Sequence, residues 1–345
     1  EKKWGGRRLN KHALKPDDVE RVVTFLRNFA EDHALVLPRR IPGFKRSDVK
    51  ILPSSQTKAA IWRHYRNLVV ARVNMDEEER MVVLGNQMAH LQTVEEERRL
   101  YNDMVQKSKT AAALAGITEL GRHFPNSLDA TIHFSFDYAQ QVHLPSTPLQ
   151  PGPIYFLVPR KVGIFGICAE AIPQQMNYLI DEGMTSGKGS NMVISLLHYF
   201  LENGFGEKRI ELQCDNCSGQ NKNRFVLFYL AWRTITGLHD QVSVNFMPAG
   251  HTKFAPDWCF GLLKRRFRIS EVHCLQDLVR TVNTSTLKGI NRAQLVGTES
   301  GEILVPVYDW QQFFNGHFRP LKGIKSNQHL CFRAQSPGIV FYKQK

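Results

Sequence analysis

Apolar positions recur with one period up to about residue 128 and with another beyond it. The first stretch has helical spacing. Pro16-Asp17-Asp18 opens a helix read over 16–37, with Val19, Val22, Val23, Leu26, Phe29 and Ala30 three or four apart until Pro38 and Pro42-Gly43 intervene. Ser54-Ser55-Gln56-Thr57 offers the N-cap of a second helix. That helix carries Ala60, Ile61, Tyr65 and Leu68 on one side and Lys58, Arg63 and Arg66 on the other, with Trp62 close by. Two short helices with a basic, aromatic-bearing face suggest a helix-turn-helix kind of DNA-binding module, although many small helical domains share the pattern. Residues 75–118 read as one long helix or a helical pair. Met81, Leu84, Met88 and Leu91 hold one phase, and Val94, Tyr101, Met104 and Val105 continue in another. A dimerising coiled coil and a helix packed on its own domain both fit. The heptads stop short of the roughly three to four repeats that a coiled coil needs, which favours packing.

Beyond residue 128, short apolar strands are predicted at 131–137, 153–158, 162–168, 209–214 and 242–247. Helices are predicted at 189–203, 219–235, 256–267 and 272–283. Three neighbouring strands followed by alternating helices and strands predict an α/β protein: a ribonuclease-H-like mixed sheet flanked by helices, preceded by an all-α N-terminal region. Further strands at 293–296, 303–307 and 339–342 either extend that sheet or form a lobe of their own. The resulting divisions are 1–72 (basic, helical, DNA-binding), 73–128 (helical linker or dimerisation region), 129–290 (catalytic core) and 291–345 (C-terminal strands).

Charge adds a partner to this picture. The chain has 345 residues, with 45 Lys and Arg against 32 Asp and Glu, a net +13. Residues 1–70 hold sixteen basic and seven acidic residues, a surplus of nine. An anionic partner, above all nucleic acid, fits that surplus, and a plain solvated basic surface is the alternative. A hydrophobic fraction of 42% excludes a disordered chain. No apolar run reaches about 18 residues, so no membrane span is expected. No signal peptide opens the chain, and the start at Glu1-Lys2-Lys3-Trp4 reads as that of a fragment. The six cysteines (168, 214, 217, 259, 274 and 331) form no dense framework, which fits a reducing compartment, cytosol or nucleus.

The candidate chemistry lies at strand ends. The strand 209–214 runs into Asp215, around which Asn216, Ser218, Gln220, Asn221 and Asn223 crowd. By strand parity Asp215 shares a face with Glu211 and Gln213, while Asp137 shares one with His133 and Ser135. If the two strands are neighbours, the carboxylates converge and repel unless a cation lies between them. Mg²⁺ or Mn²⁺ suits such oxygen ligands, and two ions about 3.5–4 Å apart can serve phosphodiester chemistry. Asp257, in Pro256-Asp257 after the strand at 242–247, is the best third acid. Lys264, Arg265, Arg266 and Arg268 follow it and can grip phosphates. Each aspartate can equally be an ordinary strand-end or helix-start residue.

Competing motifs are weaker. Cys214-Asp-Asn-Cys217 resembles half a zinc site, but no second pair follows at finger spacing, and His251 with Cys259 would complete it only in an unusual arrangement. Gly183-Met-Thr-Ser-Gly-Lys-Gly-Ser190 imitates a phosphate loop with one spacer too few, with Gly189 where Ser or Thr belongs, and after a helix-like segment. A helix-capping turn is expected there instead. No Ser or Cys is placed for a hydrolase triad.

Five blocks carry a family resemblance: Phe134-Ser-Phe-Asp-Tyr-Ala-Gln-Gln141, Gly163-Ile-Phe-Gly166, Asp215-Asn-Cys-Ser-Gly-Gln-Asn-Lys-Asn223, Gly250-His-Thr-Lys-Phe-Ala-Pro-Asp257 and Val307-Tyr-Asp-Trp310. With them the chain resembles eukaryotic transposon-derived proteins of the DDE/D transposase type over about residues 130–345, and touches the pattern again at 37–45 and 52–55. The resemblance implies cleavage and transfer of DNA strands with Mg²⁺ or Mn²⁺, two ions held by Asp137, Asp215 and Asp257. It implies double-stranded DNA as partner (transposon ends and target), a nuclear location, and a homodimer or higher oligomer. Nucleic acid would be held by Lys58, Arg63, Arg66, Asn216, Gln220, Asn221, Lys222, His251, Lys253, Lys264, Arg265 and Arg266. Two departures stand out. Some relatives carry Glu seven residues after the Asp of the Gly-His-Thr block, where this chain has Lys264, so either Asp257 is the third acid or catalysis is damaged. A cysteine-rich, zinc-binding segment before the long helix has no counterpart around 65–75. Three alternatives remain open: a domesticated DNA-binding protein without chemistry, a structural or host-regulatory protein assembling through 75–118, and a ribonuclease acting on RNA–DNA hybrids.

Overall fold

The computed structural model describes residues 20–26, 29, 35–36, 50–51, 57–74, 77–121, 123–148, 158–184, 187–247 and 254–343. They belong to two compact units, Glu1–Met88 and Ala89–Lys345.

In the first unit, residues 20–26 and 29 are helical. Strands β1 (Leu35–Val36) and β2 (Lys50–Ile51) pair antiparallel, so the helix read over 16–37 ends before residue 35. Helix α1 (Lys58–Asn74) meets the first helical segment through aromatic rings. Phe25 and Phe29, one turn apart, place their rings 5.0 Å from Tyr65 and 5.4 Å from His64. Offset and tilted pairs at this range add to the area they bury. Lys58, Arg63 and Arg66 remain exposed. Helix α2 spans Glu77–Leu114, and its Met81 and Met88 are exposed.

The second unit is built on one eight-stranded sheet. Its strands are β3 (Leu128–Leu144), β4 (Arg160–Ala169), β5 (Gln174–Asp181), β6 (Glu207–Cys214), β7 (Gln241–Phe246), β8 (Asn291–Leu295), β9 (His329–Arg333) and β10 (Val340–Lys343). They lie in the order β10-β9-β7-β6-β3-β4-β5-β8. β4 runs antiparallel to both of its neighbours, β3 and β5, and β6 and β7 run parallel to β3. That is a ribonuclease-H-like arrangement. The C-terminal strands extend the sheet at both edges: β8 beside β5, and β9 with β10 beside β7.

Some sequence-based expectations need correction. The third antiparallel strand is β5, not 153–158; residues 153–157 lie outside the described residues and Val158 is not in a strand. β5 hides its alternation because both of its faces are buried: Tyr178 and Ile180 on one, Gln175, Asn177 and Leu179 on the other. The segment before Gly183 is therefore a strand and not helix-like. Residues 303–307 form no strand, only a bridge from Ile303 to Gly297.

One face of the sheet is apolar. Ile132, Phe134, Phe136, Ile210, Leu212, Val242, Val244 and Phe246 are fully buried there, each side chain contributing about 1.5–3 kcal/mol. Helices α3 (Ser190–Glu202), α4 (Arg224–Ile235) and, later in the chain, the short α7 (Trp310–Phe314) share that core. The other face is mixed. Helices α5 (Ala255–Phe267) and α6 (Leu275–Asn283) cover its apolar end, where Phe260, Leu263, Leu275 and Leu278 meet Val162, Ile164 and Leu179. The part of α2 in this unit covers its polar middle. Glu97 meets His329 Nε2 at 2.9 Å, Tyr101 donates its hydroxyl hydrogen to Glu170 at 2.6 Å, and Ser108 Oγ accepts the His133 amide at 2.8 Å. Spacings of four and seven put the three residues on one side of the helix. No described helix is long and apolar enough to cross a membrane.

Candidate metal and nucleic-acid site

β3 and β6 pair in parallel with Ser135 opposite Gln213. Carried two residues further, that register sets Asp137 level with Asp215 on the polar face. Adjacent strands lie about 4.8 Å apart, close enough for the two carboxylates to feel each other. Their effect is visible on Asp137, whose carboxyl is pushed from 3.8 up to about 7. Burial is the main cause, the charge of Asp215 comes next, and that of Asp257 adds to them, while the Tyr138 amide donates to Oδ1 at 2.7 Å and works the other way.

Asp215 sits one residue past β6, and the turn after it is organised around Oδ1. That oxygen accepts the Cys217 amide at 3.1 Å and the Asn221 side-chain amide at 2.6 Å. Asn223 then caps α4, its Oδ1 accepting the amides of Phe225 and Val226 at 3.1 and 3.2 Å. Lys222 is buried. Its ammonium donates to Asn216 Oδ1 at 2.9 Å and to Gln328 Oε1 at 3.3 Å, and lies 4.7 Å from the centre of the Phe246 ring. Asn216 donates in turn to the Met247 carbonyl. Asn216, Asn221 and Lys222 therefore bind the turn together, and Gln220 is half-buried beside them.

Asp257 occupies the third position of α5, where its Oδ2 accepts the Phe254 amide at 3.1 Å. The approach of α5 depends on Gly166, the residue paired with Asp137 on β4. A Cβ there would lie 2.7 Å from the Phe260 ring and 2.7 Å from Gln175 Nε2. Lys264 follows Asp257 by two turns and is half-buried. Burial and then the charge of Arg268 lower its pKa, and Asp257 opposes them. Arg265, Arg266 and Trp258 are exposed on the same helix. His251 and Lys253 lie outside the described residues.

Among the described residues, no group of three or more His, Cys, Asp or Glu is gathered closely enough to hold a metal ion. The expected cluster of three acids is therefore a facing pair, Asp137 and Asp215, with Asp257 near enough to act on Asp137 by its charge. Cys214 is buried in the apolar core on the opposite face. Sequence reasoning passed over the layer beneath the pair. Burial there works against the charge of Glu170, but His133, Ser135 and Tyr101 outweigh it and lower its pKa. Parity with Asp137 already pointed to His133 and Ser135; Glu170 lies just past the end of β4 and gave no signal of its own.

Residues 160–345 match a family described as a domain of unknown function (DUF7869). The chain belongs to this family. Its DUF7869 segment begins at the first residue of β4, includes Asp215, Asp257 and Lys264, and leaves β3 with Asp137 outside. No curated protein and no solved structure matches the chain.

Proposed function

We propose that this chain is a metal-dependent DNA strand-transfer enzyme of the DDE/D type. The observation that carries the proposal is the facing pair of Asp137 and Asp215, with the Asp137 carboxyl pushed up to about 7. Two half-buried carboxylates side by side are unfavourable alone and become favourable around a divalent cation. The hard oxygen donors fit Mg²⁺ or Mn²⁺, which Asp137 and Asp215 would hold, with Asp257 beside them. Such an ion would activate the attacking oxygen and stabilise charge on the phosphate. Water attacks the phosphodiester first, and the freed 3′-hydroxyl then attacks target DNA. Arg265 and Arg266 hold the backbone phosphates from the exposed side of α5, and Lys58, Arg63 and Arg66 do so from α1. A nuclear location and a dimer or higher oligomer belong to this reading.

A nicking assay with Mg²⁺ on DNA carrying the element's own ends tests it. Cleavage is expected for the native chain, and cleavage that persists unchanged in Asp215→Ala would dispose of the assignment. A second reading rests on Lys264, a cation two turns after Asp257 on α5, which suits a descendant that binds DNA without cutting it. That protein would show a steep salt dependence of binding and no Mg²⁺-dependent nicking. An RNA–DNA hybrid run beside the duplex separates a ribonuclease from both.

A further inference from the structure

A cavity of about 450 Å³ opens where β8 begins. Ala293, on its lining, stands level with Asn177, Gly166 and Asp137 on successive strands of the sheet. Three strand spacings, about 14 Å, therefore separate it from Asp137. The polar side chains around the cavity are of two kinds. Asn291 is spent within the protein: its amide donates to the Cys259 carbonyl at 3.0 Å and to Ser285 Oγ at 2.9 Å, and its Oδ1 accepts from Asn177 at 3.2 Å. Asn283 at the end of α6 uses Oδ1 to accept the Ala293 amide at 2.9 Å, so the group it still offers is the Nδ2 donor. Lys288 and Arg292 add an ammonium and a guanidinium. No carboxylate is among the described residues that line the cavity. Glu119, itself exposed, comes within 4.0 Å of the Arg292 guanidinium, too loose a pair to cancel its charge. Met176, half-buried, is paired with Arg292 across β5 and β8, which sets an apolar thioether beside the cations.

We propose that this cavity binds a nucleotide unit, its phosphate held by Lys288, Arg292 and the Asn283 amide and its base laid against Met176. The lining offers donors and positive charge, so the ligand is an anion. Two full cations, one of them a guanidinium fork, match a phosphate better than a single carboxylate. The volume falls in the range of about 300–1,000 Å³ of small-molecule sites, more than one phosphate fills. A thioether packs well against a flat ring. The site needs no metal and stands apart from the acid pair, so it goes beyond the strand-transfer reading without resting on it.

Titration calorimetry of the full-length chain in chelator, with thymidine 5′-monophosphate, inorganic phosphate and acetate as probes, tests the proposal. One nucleotide is expected to bind per chain, phosphate more weakly, and acetate weakest. Arg292→Ala and Lys288→Glu should each weaken nucleotide and phosphate by about tenfold or more. Lys288 is exposed, so its replacement leaves the fold intact. Met176→Ala should weaken the nucleotide and leave phosphate unchanged. Asp215→Asn should bind the nucleotide as the native chain does, and loss of binding there would overturn a separate site. The proposal also falls if no saturable nucleotide binding is seen, if Lys288→Glu leaves it unchanged, or if acetate binds as tightly as phosphate. Adding a blunt DNA duplex identifies the source: displacement of the mononucleotide assigns the site to a nucleotide of a DNA strand, and undisturbed binding assigns it to a free nucleotide.

Discussion

The facing carboxylates should make the protein less stable as pH rises, and Asp137→Asn should relieve that loss. Asp137 titrates near 3.8 in an unfolded chain and at about 7 in the folded one. The folded state therefore holds a proton that the unfolded state has released, and folding stability falls as pH climbs from about 4 to about 7. Each pKa unit corresponds to about 1.4 kcal/mol, so the full shift is worth about 4 kcal/mol, of which about 3 kcal/mol is lost between pH 5 and pH 9. For a unit of this size 1 kcal/mol moves the melting temperature by about 2–4 °C, so about 6–12 °C of the native chain's decline belongs to Asp137. Asparagine keeps the shape and removes the charge. Thermal melts of both chains at pH 5 and pH 9 in chelator isolate the effect, because the other titrating groups are common to both. Mn²⁺ at 100 times its Kd should return about 2.7 kcal/mol to the native chain at pH 9 and much less to Asp137→Asn. The reasoning fails if the two chains lose stability in parallel, or if Asp137→Asn is the less stable at pH 9 without metal.

Gly166→Ala forces a methyl group against Phe260 and should cost about 1–3 kcal/mol, moving α5 outward; a lower melting temperature with weaker Mn²⁺ binding is the expected result. Asn221→Ala removes the 2.6 Å bond to Asp215 and should destabilise by about 1–3 kcal/mol in urea titrations while impairing nicking. If Arg265 and Arg266 both touch phosphates, replacing the two by alanine should lower the slope of log affinity against log salt by about 1.8, and an unchanged slope would remove them from the interface.

The acid pair was legible because a strand alternates its side chains with a period of two. Given the neighbouring positions of β3 and β6, parity alone brings Asp137 and Asp215 to one face. The order of β6, α4, β7 and α5 was legible for a similar reason, since each carries a clear period and a cap or breaker. β5 escaped because Gln175 and Asn177 are buried on a polar face, so hydropathy no longer separates inside from outside. The run Asp215-Asn-Cys-Ser-Gly-Gln-Asn-Lys-Asn223 looked like a ligand-binding surface, yet Asn221, Lys222 and Asn223 are engaged in closing a turn and capping a helix. Composition cannot distinguish an amide that binds a partner from one that binds its own backbone. The distance of Asp257 from the pair was also beyond sequence, because it depends on how closely Phe260 approaches Gly166.

The final strands have a consequence for how such a protein can be shortened. β8 hems one margin of the sheet, and β9 with β10 hems the opposite margin, although all three come from the last stretch of the chain. Removing everything after residue 290 would bare the sides of β5 and β7 at once and invite sticking between copies. A truncated 1–290 product should therefore appear as aggregate in size-exclusion chromatography, and a well-behaved monomer would contradict this. Asp137 and Asp215 lie mid-sheet, yet their support is fastened by strands that come after residue 290, so an early stop codon would ruin the centre while leaving Asp137, Asp215 and Asp257 in place.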